Sequence, residues 1–181
     1  MIRHLRAADR AAVPWKNGGG ITREVAIWPE NASFDDFDWR ISIADVREAG
    51  PFSKFENIDR TLMILKGRLS LAFADRTIEL DTDSAPFAFR GEGPCSGMPL
   101  DGAVTDLNVM VRRGKCQARV SRLMERTEMA GARQHILVAP SAAVVRMGAR
   151  SFALDAQDAL VASGDAGPIS ANRPVFLIVL D

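Results

Sequence analysis

Apolar and polar residues alternate with a period of two through most of this chain, and helical periodicity is hard to find. In Trp39-Arg40-Ile41-Ser42-Ile43-Ala44, the residues Trp39, Ile41 and Ile43 fall on one face of a strand. Arg40, Ser42 and Ala44 fall on the other, because successive strand side chains point to opposite sides. Arg68 to Phe73 repeats the pattern. Leu62-Met63-Ile64-Leu65 is apolar on both faces, as expected of a strand between two layers, and Gly67 then supplies a turn. Gly, Pro, Asn and Asp punctuate the chain roughly every ten residues, so the pattern predicts an all-β fold of many short strands.

An internal repeat organises these strands. A shift of 74 residues lays Ala74 to Pro94 over Gly148 to Pro168, with Arg76, Leu80, Asp81, Ala85, Ala88, Gly93 and Pro94 all matched by identical residues. Those are seven identities in 21 positions, where chance gives about one or two. Each half then ends in an apolar strand, Asp106 to Val111 in the first and Val175 to Leu180 in the second. Strand, glycine turn, strand, Asp turn, strand, Gly-Pro turn and closing strand is the logic of a jelly roll. The expected architecture is a double cupin, two jelly-roll β-barrel halves in one compact chain, with residues 1–113 as the first barrel and 114–181 as a smaller second one. The join is expected between Arg112 and Gly131, where Arg112, Arg113, Lys115, Arg119, Arg122 and Arg126 face only Glu125 and Glu128. No aromatics interleave with these cations, so the stretch reads as a solvated crossing strand or linker and not as a nucleic-acid surface.

Composition narrows the partners. The 181 residues, 47% of them hydrophobic, suffice to bury a core without disulfides or metal. Basic and acidic residues number 23 each, which leaves no net field to attract nucleic acid or an anionic membrane and favours a neutral or small polar partner. Cys95 and Cys116 show no Cys-x-x-Cys spacing, Met1 to Arg10 contains no apolar run, and the longest such run, Val175 to Leu180, is far too short to span a bilayer. These features point to the cytoplasm.

Metal chemistry is not expected, and neither is any other cofactor. His4 and His135 are the only histidines and stand 131 residues apart, whereas a cupin metal needs several converging donors. Gly18-Gly19-Gly20 is not followed by a helical pattern, so it makes a poor phosphate loop. Four polar clusters remain. The first is Trp15-Lys16-Asn17-Gly18-Gly19-Gly20-Ile21-Thr22-Arg23-Glu24, and the second is Trp39-Arg40-Ile41-Ser42. The third is Gly50-Pro51-Phe52-Ser53-Lys54-Phe55 with Asp59-Arg60. In the fourth, alternation puts Asp106, Asn108, Met110 and Arg112 on one face of a strand and Leu107, Val109 and Val111 on the other. On an outer surface such polar groups are merely wet; inside a barrel mouth they are the converging donors and acceptors of a ligand pocket.

At these clusters the chain resembles the HutD/Ves proteins, a family of double cupins associated with bacterial histidine utilisation. The shared motifs are Trp-Lys-Asn-Gly-Gly-Gly-x-Thr-Arg-Glu at 15 to 24, Trp-Arg-x-Ser at 39 to 42, Gly-Pro-Phe-Ser-x-Phe at 50 to 55, Asp59-Arg60, and Asp-Leu-Asn-Val-Met at 106 to 110. They span roughly the first 113 residues. Where the family has Pro-Gly this chain has Glu56-Asn57, and Asn also tolerates left-handed turn geometry. The resemblance implies a metal-free pocket in the first half, binding a small acid of histidine breakdown such as formylglutamate, formiminoglutamate or urocanate and so moderating that pathway. Arg40, Arg60, Arg112 and Lys16 are the candidate cations for its carboxylate, and Asn108, Ser42 and Thr22 the candidate partners for an amide or formyl group. Two other functions compete. One is a metal-free isomerase or hydrolase with Glu24 or Asp59 as base and Lys16 or Arg60 stabilising negative charge. The other is a protein-binding or structural module, and pairing of sheet edges would allow a homodimer.

Overall fold

The computed structural model describes residues 1–124, 126–127, 134–164 and 167–181. Glu125, Glu128 and Gly131 of the expected join lie outside them. The regular elements among the described residues are all strands apart from one 3-10 turn at Ala7–Asp9. The chain opens with β1 (Ile2–Leu5). Then follow β2 (Ala12–Pro14), β3 (Gly20–Trp28), β4 (Trp39–Val46), β5 (Gly50–Pro51), β6 (Ile58–Lys66), β7 (Leu69–Phe73), β8 (Thr77–Leu80), β9 (Phe87–Arg90), β10 (Cys95–Pro99) and β11 (Val104–Arg112). The remaining strands are β12 (Ala118–Leu123), β13 (Gln134–Val138), β14 (Ala143–Met147), β15 (Arg150–Leu154), β16 (Ala159–Ser163), β17 (Ile169–Ala171) and β18 (Val175–Leu180).

Two compact units result, one of residues 11–116 and one of residues 1–10 with 117–181. In the first, a six-stranded sheet in the order β2-β3-β4-β11-β6-β9 accompanies a four-stranded sheet in the order β5-β10-β7-β8. Leu62, Ile64 and Val104 of the larger sheet share one core with Leu69, Leu71, Leu80 and Cys95 of the smaller. In the second, the sheets run β1-β16-β13-β18-β12 and β15-β14-β17, and Leu137, Leu160, Val175 and Leu177 share a core with Val145, Met147, Leu154 and Ile169.

The repeat is thus a repeat of topology: β4-β11-β6-β9 in one unit answers to β12-β18-β13-β16 in the other. In the smaller sheets the 74-residue offset holds residue for residue. Leu69 pairs with Leu80 as Ala143 pairs with Leu154, and Cys95 pairs with Phe73 as Ile169 pairs with Met147. It slips by one between β9 and β16 of the larger sheets, where Phe87 and Phe89 face the core of one unit and Leu160 and Ala162 the core of the other. A one-residue slip in a strand exchanges its faces, so burial and not identity decides the true correspondence.

The N-terminal ten residues, assigned by the sequence to the first half, pair with the second. β1 runs antiparallel to β16, with Ile2 opposite Ala162 and Leu5 opposite Ala159. Asp158 fastens it, accepting from the Ala7 N–H at 2.7 Å and bonding His4 Nε2 at 2.8 Å, while Arg10 Nη1 donates to the Gln157 carbonyl at 2.7 Å. Burial pushes the Asp158 carboxyl up, but the bonds from Ala7, His4 and the Asp155 N–H outweigh it and hold the group below its usual range. A depressed carboxyl contributes stability that is complete above about pH 4 and is lost as the pH falls further. Asp158→Asn is therefore expected to cost about 1 kcal/mol at pH 7 and to weaken the loss of stability between pH 4 and 2, measured by urea titration at each pH.

Candidate functional site

Three adjacent strands, β4, β11 and β6, bring the polar clusters together. Met110 lies directly between Arg40 and Arg60, Asn108 between Ser42 and Leu62, and Asp106 between Ala44 and Ile64. Across the other flank Glu24 of β3 sits opposite Ser42, next to an irregularity in the ladder between Glu24 and Ala26. Alternation then places Arg40, Ser42, Asp106, Asn108, Met110 and Arg60 on the face that carries Leu62 and Ile64 into the core. With strands about 4.8 Å apart, the backbones of Arg40 and Arg60 are about 10 Å apart across β11. All six are buried, with relative exposures of 8% for Arg40, 3% for Ser42, 3% for Asp106, 9% for Asn108, 1% for Met110 and 6% for Arg60. The surface-wetted alternative for this face is thereby excluded. Leu107, Val109, Ile41 and Ile43 on the opposite face are buried as well.

Arg60 is the most unusual group. Its guanidinium carbon lies 5.0 Å from the Phe89 ring centroid, 5.5 Å from Phe52 and 5.6 Å from Phe55, and Nη1 donates to the Ser53 carbonyl at 3.3 Å. Its Nε is buried without a hydrogen-bond partner. Burial lowers the pKa of Arg60 and the charge of Asp106 opposes that shift. Asp106 itself is pushed up to about 7 by burial, with Arg60 pulling it down and Asp45 adding to the rise. Two residues along, Asn108 Oδ1 is also buried and unpartnered, a loss that in a folded interior costs about 1 to 3 kcal/mol unless something fills it. Arg40 is better served. Nε donates to Glu24 Oε2 at 2.9 Å, Nη1 reaches Ser42 Oγ at 3.4 Å, and the guanidinium lies 4.8 Å from the Phe34 centroid. The Glu24 side chain is 44% exposed, so this pair marks a rim where the interior meets solvent.

Other expected site residues have structural employment. Arg23 is on the reverse face, where it donates to Asp45 at 2.7 Å. Asp59 likewise turns away from Arg60, accepting from Arg113 at 2.6 Å, so an Asp59–Arg60 acid–base pair in one pocket is not formed. Arg112 holds the preceding loop by donating to the carbonyls of Phe37 at 2.9 Å and Asp35 at 2.7 Å. Lys16, Asn17 and Gly18 are exposed, and Asn17 Oδ1 closes its own turn on the Gly19 N–H at 3.0 Å. Trp15 donates from Nε1 to Thr22 Oγ1 at 2.7 Å and meets Phe52 edge to face. The glycine run serves this ring: a Cβ on Gly20 would lie 2.7 Å from the Asp45 carbonyl oxygen and 3.0 Å from the Trp15 indole. Ser53 contributes its carbonyl and is otherwise exposed.

Phe34, Phe52, Phe55 and Phe89 were missed as site residues. Two belong to the Gly-Pro-Phe-Ser-x-Phe motif, which carried a signal in plain view, but Phe34 and Phe89 come from separate segments. Phe34 stacks on Phe55 with centroids 6.0 Å apart, so one aromatic set serves both arginines. Among the described residues, no three His, Cys, Asp or Glu side chains assemble as a metal would require.

The second unit shows which of these groups the topology does not need. His135 pairs with Val179 and Ala162 as Arg60 pairs with Met110 and Phe89, and Leu137 pairs with Leu177 as Leu62 pairs with Asn108. Continuing along β18, Val175 stands where β11 has Asp106. The same ladder is therefore built with Val175, Leu177 and Val179 in place of Asp106, Asn108 and Met110. Polarity on β11 is an addition to the fold and not a condition of it.

Comparison with known proteins agrees with the motif-bearing half and extends beyond it. The HutD family model matches residues 7–177. An uncharacterised 21.2 kDa protein from the hutC 3' region of Pseudomonas putida is 38% identical over 122 residues, covering 66% of this chain and 63% of that one, so the matched stretch spans less than two thirds of the relative's length. Among solved structures, HutD from Pseudomonas fluorescens SBW25 superposes with a TM-score of 0.87 at 29% identity, covering 99% of this chain and 98% of that one. A conserved protein of unknown function from Pseudomonas aeruginosa PAO1 gives 0.86 at 31% identity, with coverage of 100% and 99%. The chain belongs to the HutD family.

Proposed function

We propose that residues 11–116 form a cupin-like jelly-roll barrel whose interior binds a small carboxylic acid, that the other unit is a second cupin-like barrel without such a site, and that the protein is a binding regulator. The observation that carries this reading is the buried, incompletely hydrogen-bonded Arg60 beside the unpartnered Asn108 Oδ1. An anion with one further polar group satisfies both at once. Arg60 offers the planar fork that carboxylates fit, the three phenylalanine rings keep water from it, and Arg40 with Glu24 stands at the rim. The family's association with histidine utilisation makes formylglutamate, formiminoglutamate and urocanate the first candidates. The protein is expected to work in the cytoplasm, without metal, nucleic acid or membrane, and to be able to form a homodimer. No helix among the described residues is long and apolar enough to cross a membrane.

The test is a thermal-shift screen of purified protein against these three acids, with histidine and acetate as comparisons. An acid at a hundred times its Kd is expected to stabilise the protein by about 2.7 kcal/mol. Absence of any shift with all three acids would sink the reading. The same preparations should hold far less than one equivalent of metal. One observation favours a second reading: a buried carboxyl near neutrality is what a general acid–base catalyst needs. A metal-free enzyme would consume one of the three acids, which incubation followed by chromatography detects.

A further inference from the structure

The interior site holds a charge set that is balanced only in one protonation state. Arg40 is neutralised by Glu24 at 2.9 Å. Asp45, the other nearby acid, is on the reverse face and is already bonded to Arg23 at 2.7 Å and to Thr105 Oγ1 at 2.9 Å. Cys95, from the facing sheet, is buried, and burial raises its thiol, so it adds no charge at neutral pH. What remains facing the interior is Arg60 and Asp106. With Asp106 ionised this pair is neutral and offers an incoming carboxylate no net attraction. With Asp106 protonated it carries one positive charge, and the acid becomes a hydrogen-bond donor on the same face as the unpartnered Asn108 Oδ1.

We propose that Asp106 is the proton-carrying residue of this site, so that a carboxylate is seated on Arg60 together with one proton taken up from solvent by Asp106. This rests on the carboxylate-binding reading above. The step is an acid–base exchange: the proton comes from water or buffer, an O–H bond forms on the Asp106 carboxyl, and nothing is oxidised or reduced. Its cause is the mutual repulsion of two anions that compete for one guanidinium in a water-poor interior. Reciprocity follows, since a ligand that raises the proton affinity of Asp106 must itself bind more tightly as the proton concentration rises. Asp106 is buried and that burial already pushes its carboxyl up to about 7, so the exchange falls within the physiological range. The apolar Val175 at the matching place in the second unit shows that an acid there is not demanded by the sheet.

Calorimetry with N-formylglutamate from pH 6 to 9, repeated in buffers of different ionisation enthalpy, tests the linkage. Both carboxyl groups of this probe stay ionised throughout that range. The wild-type protein is expected to take up about half a proton per ligand near pH 7 and about one by pH 8, with affinity falling toward tenfold per pH unit above that. Asp106→Asn, permanently uncharged at this position, is expected to take up none and to bind with one affinity across the range. Wild-type binding with no buffer-dependent heat and a flat pH profile overturns the linkage and leaves the binding site standing. Absence of binding at every pH overturns both. Because the wild-type buffer series decides alone, the test holds even if the variant folds poorly.

Discussion

Asp106→Asn is expected to stabilise the folded protein at pH 8, in contrast to most substitutions in a buried position. A carboxyl raised on folding binds its proton more tightly in the native than in the unfolded state. Its contribution to stability is therefore greatest below the unfolded value near pH 4, declines as the pH rises, and levels off above about 7. Three pH units at about 1.4 kcal/mol each bound the cost of the ionised form at about 4 kcal/mol, and relaxation of the surroundings reduces it. Asparagine keeps the size of the protonated acid and carries no charge, so the variant should gain about 2 to 4 kcal/mol at pH 8, or roughly 5 to 15 °C in Tm. At pH 4 the two proteins should melt together. A variant less stable than wild type at pH 8 would mean that Asp106 earns its place as the counter-ion of Arg60, with its charge favourable in the fold.

Arg60→Ala is expected to weaken binding of a small carboxylate by about tenfold to a hundredfold, from the loss of a charge-assisted bond of roughly 1.5 to 3 kcal/mol. Asn108→Ala should cost less, because the bonds lost are neutral and water can return to the vacated space. Arg119→Ala is the control. That arginine is exposed and bonds Asp181 at 2.7 Å on the other unit's sheet, and a surface pair of this kind contributes little. Arg60→Lys separates charge from shape: lysine restores the positive charge but not the planar fork, so its affinity should fall between wild type and alanine. Calorimetry measures all four variants, with circular dichroism to show that each is folded. Equal affinities for wild type and Arg60→Ala would make the arginine a support for Phe52, Phe55 and Phe89 alone.

Strand content was readable because period-two alternation survives wherever one face differs from the other, as in β4 and β11. The alternation also separated Asp106, Asn108 and Met110 from Leu107 and Val109 correctly. It could not say that both faces of β11 are buried, since burial depends on what other segments bring. Within a motif, adjacency misled. Arg23 beside Glu24, and Asp59 beside Arg60, seem to act together in one dimension, yet neighbours in a strand look in opposite directions, and their partners prove to be Asp45 and Arg113. The role of the triple glycine was not legible either, since the close approach at Gly20 is that of Trp15, five residues before it, and of the Asp45 backbone on the neighbouring strand. The aromatic enclosure of Arg60 was the least legible part. Its rings come from positions 52, 55 and 89, joined by no period, and only the pairing of β6 with β9 brings the last of them alongside.

The docking of β1 on β16 also sets an order of events at the ribosome. Residues 11–116 contain every partner their own ladders require, and all of them have been synthesised once Arg112 has left the exit tunnel. Ile2–Leu5 are made before residues 11–116 and must wait for 159–162, which are made after them. While the intervening residues are being made this strand has no edge to join, and its two apolar residues, Ile2 and Leu5, flank the charged Arg3 and the polar His4. So short and so polar a waiting segment offers little for premature pairing with another nascent chain.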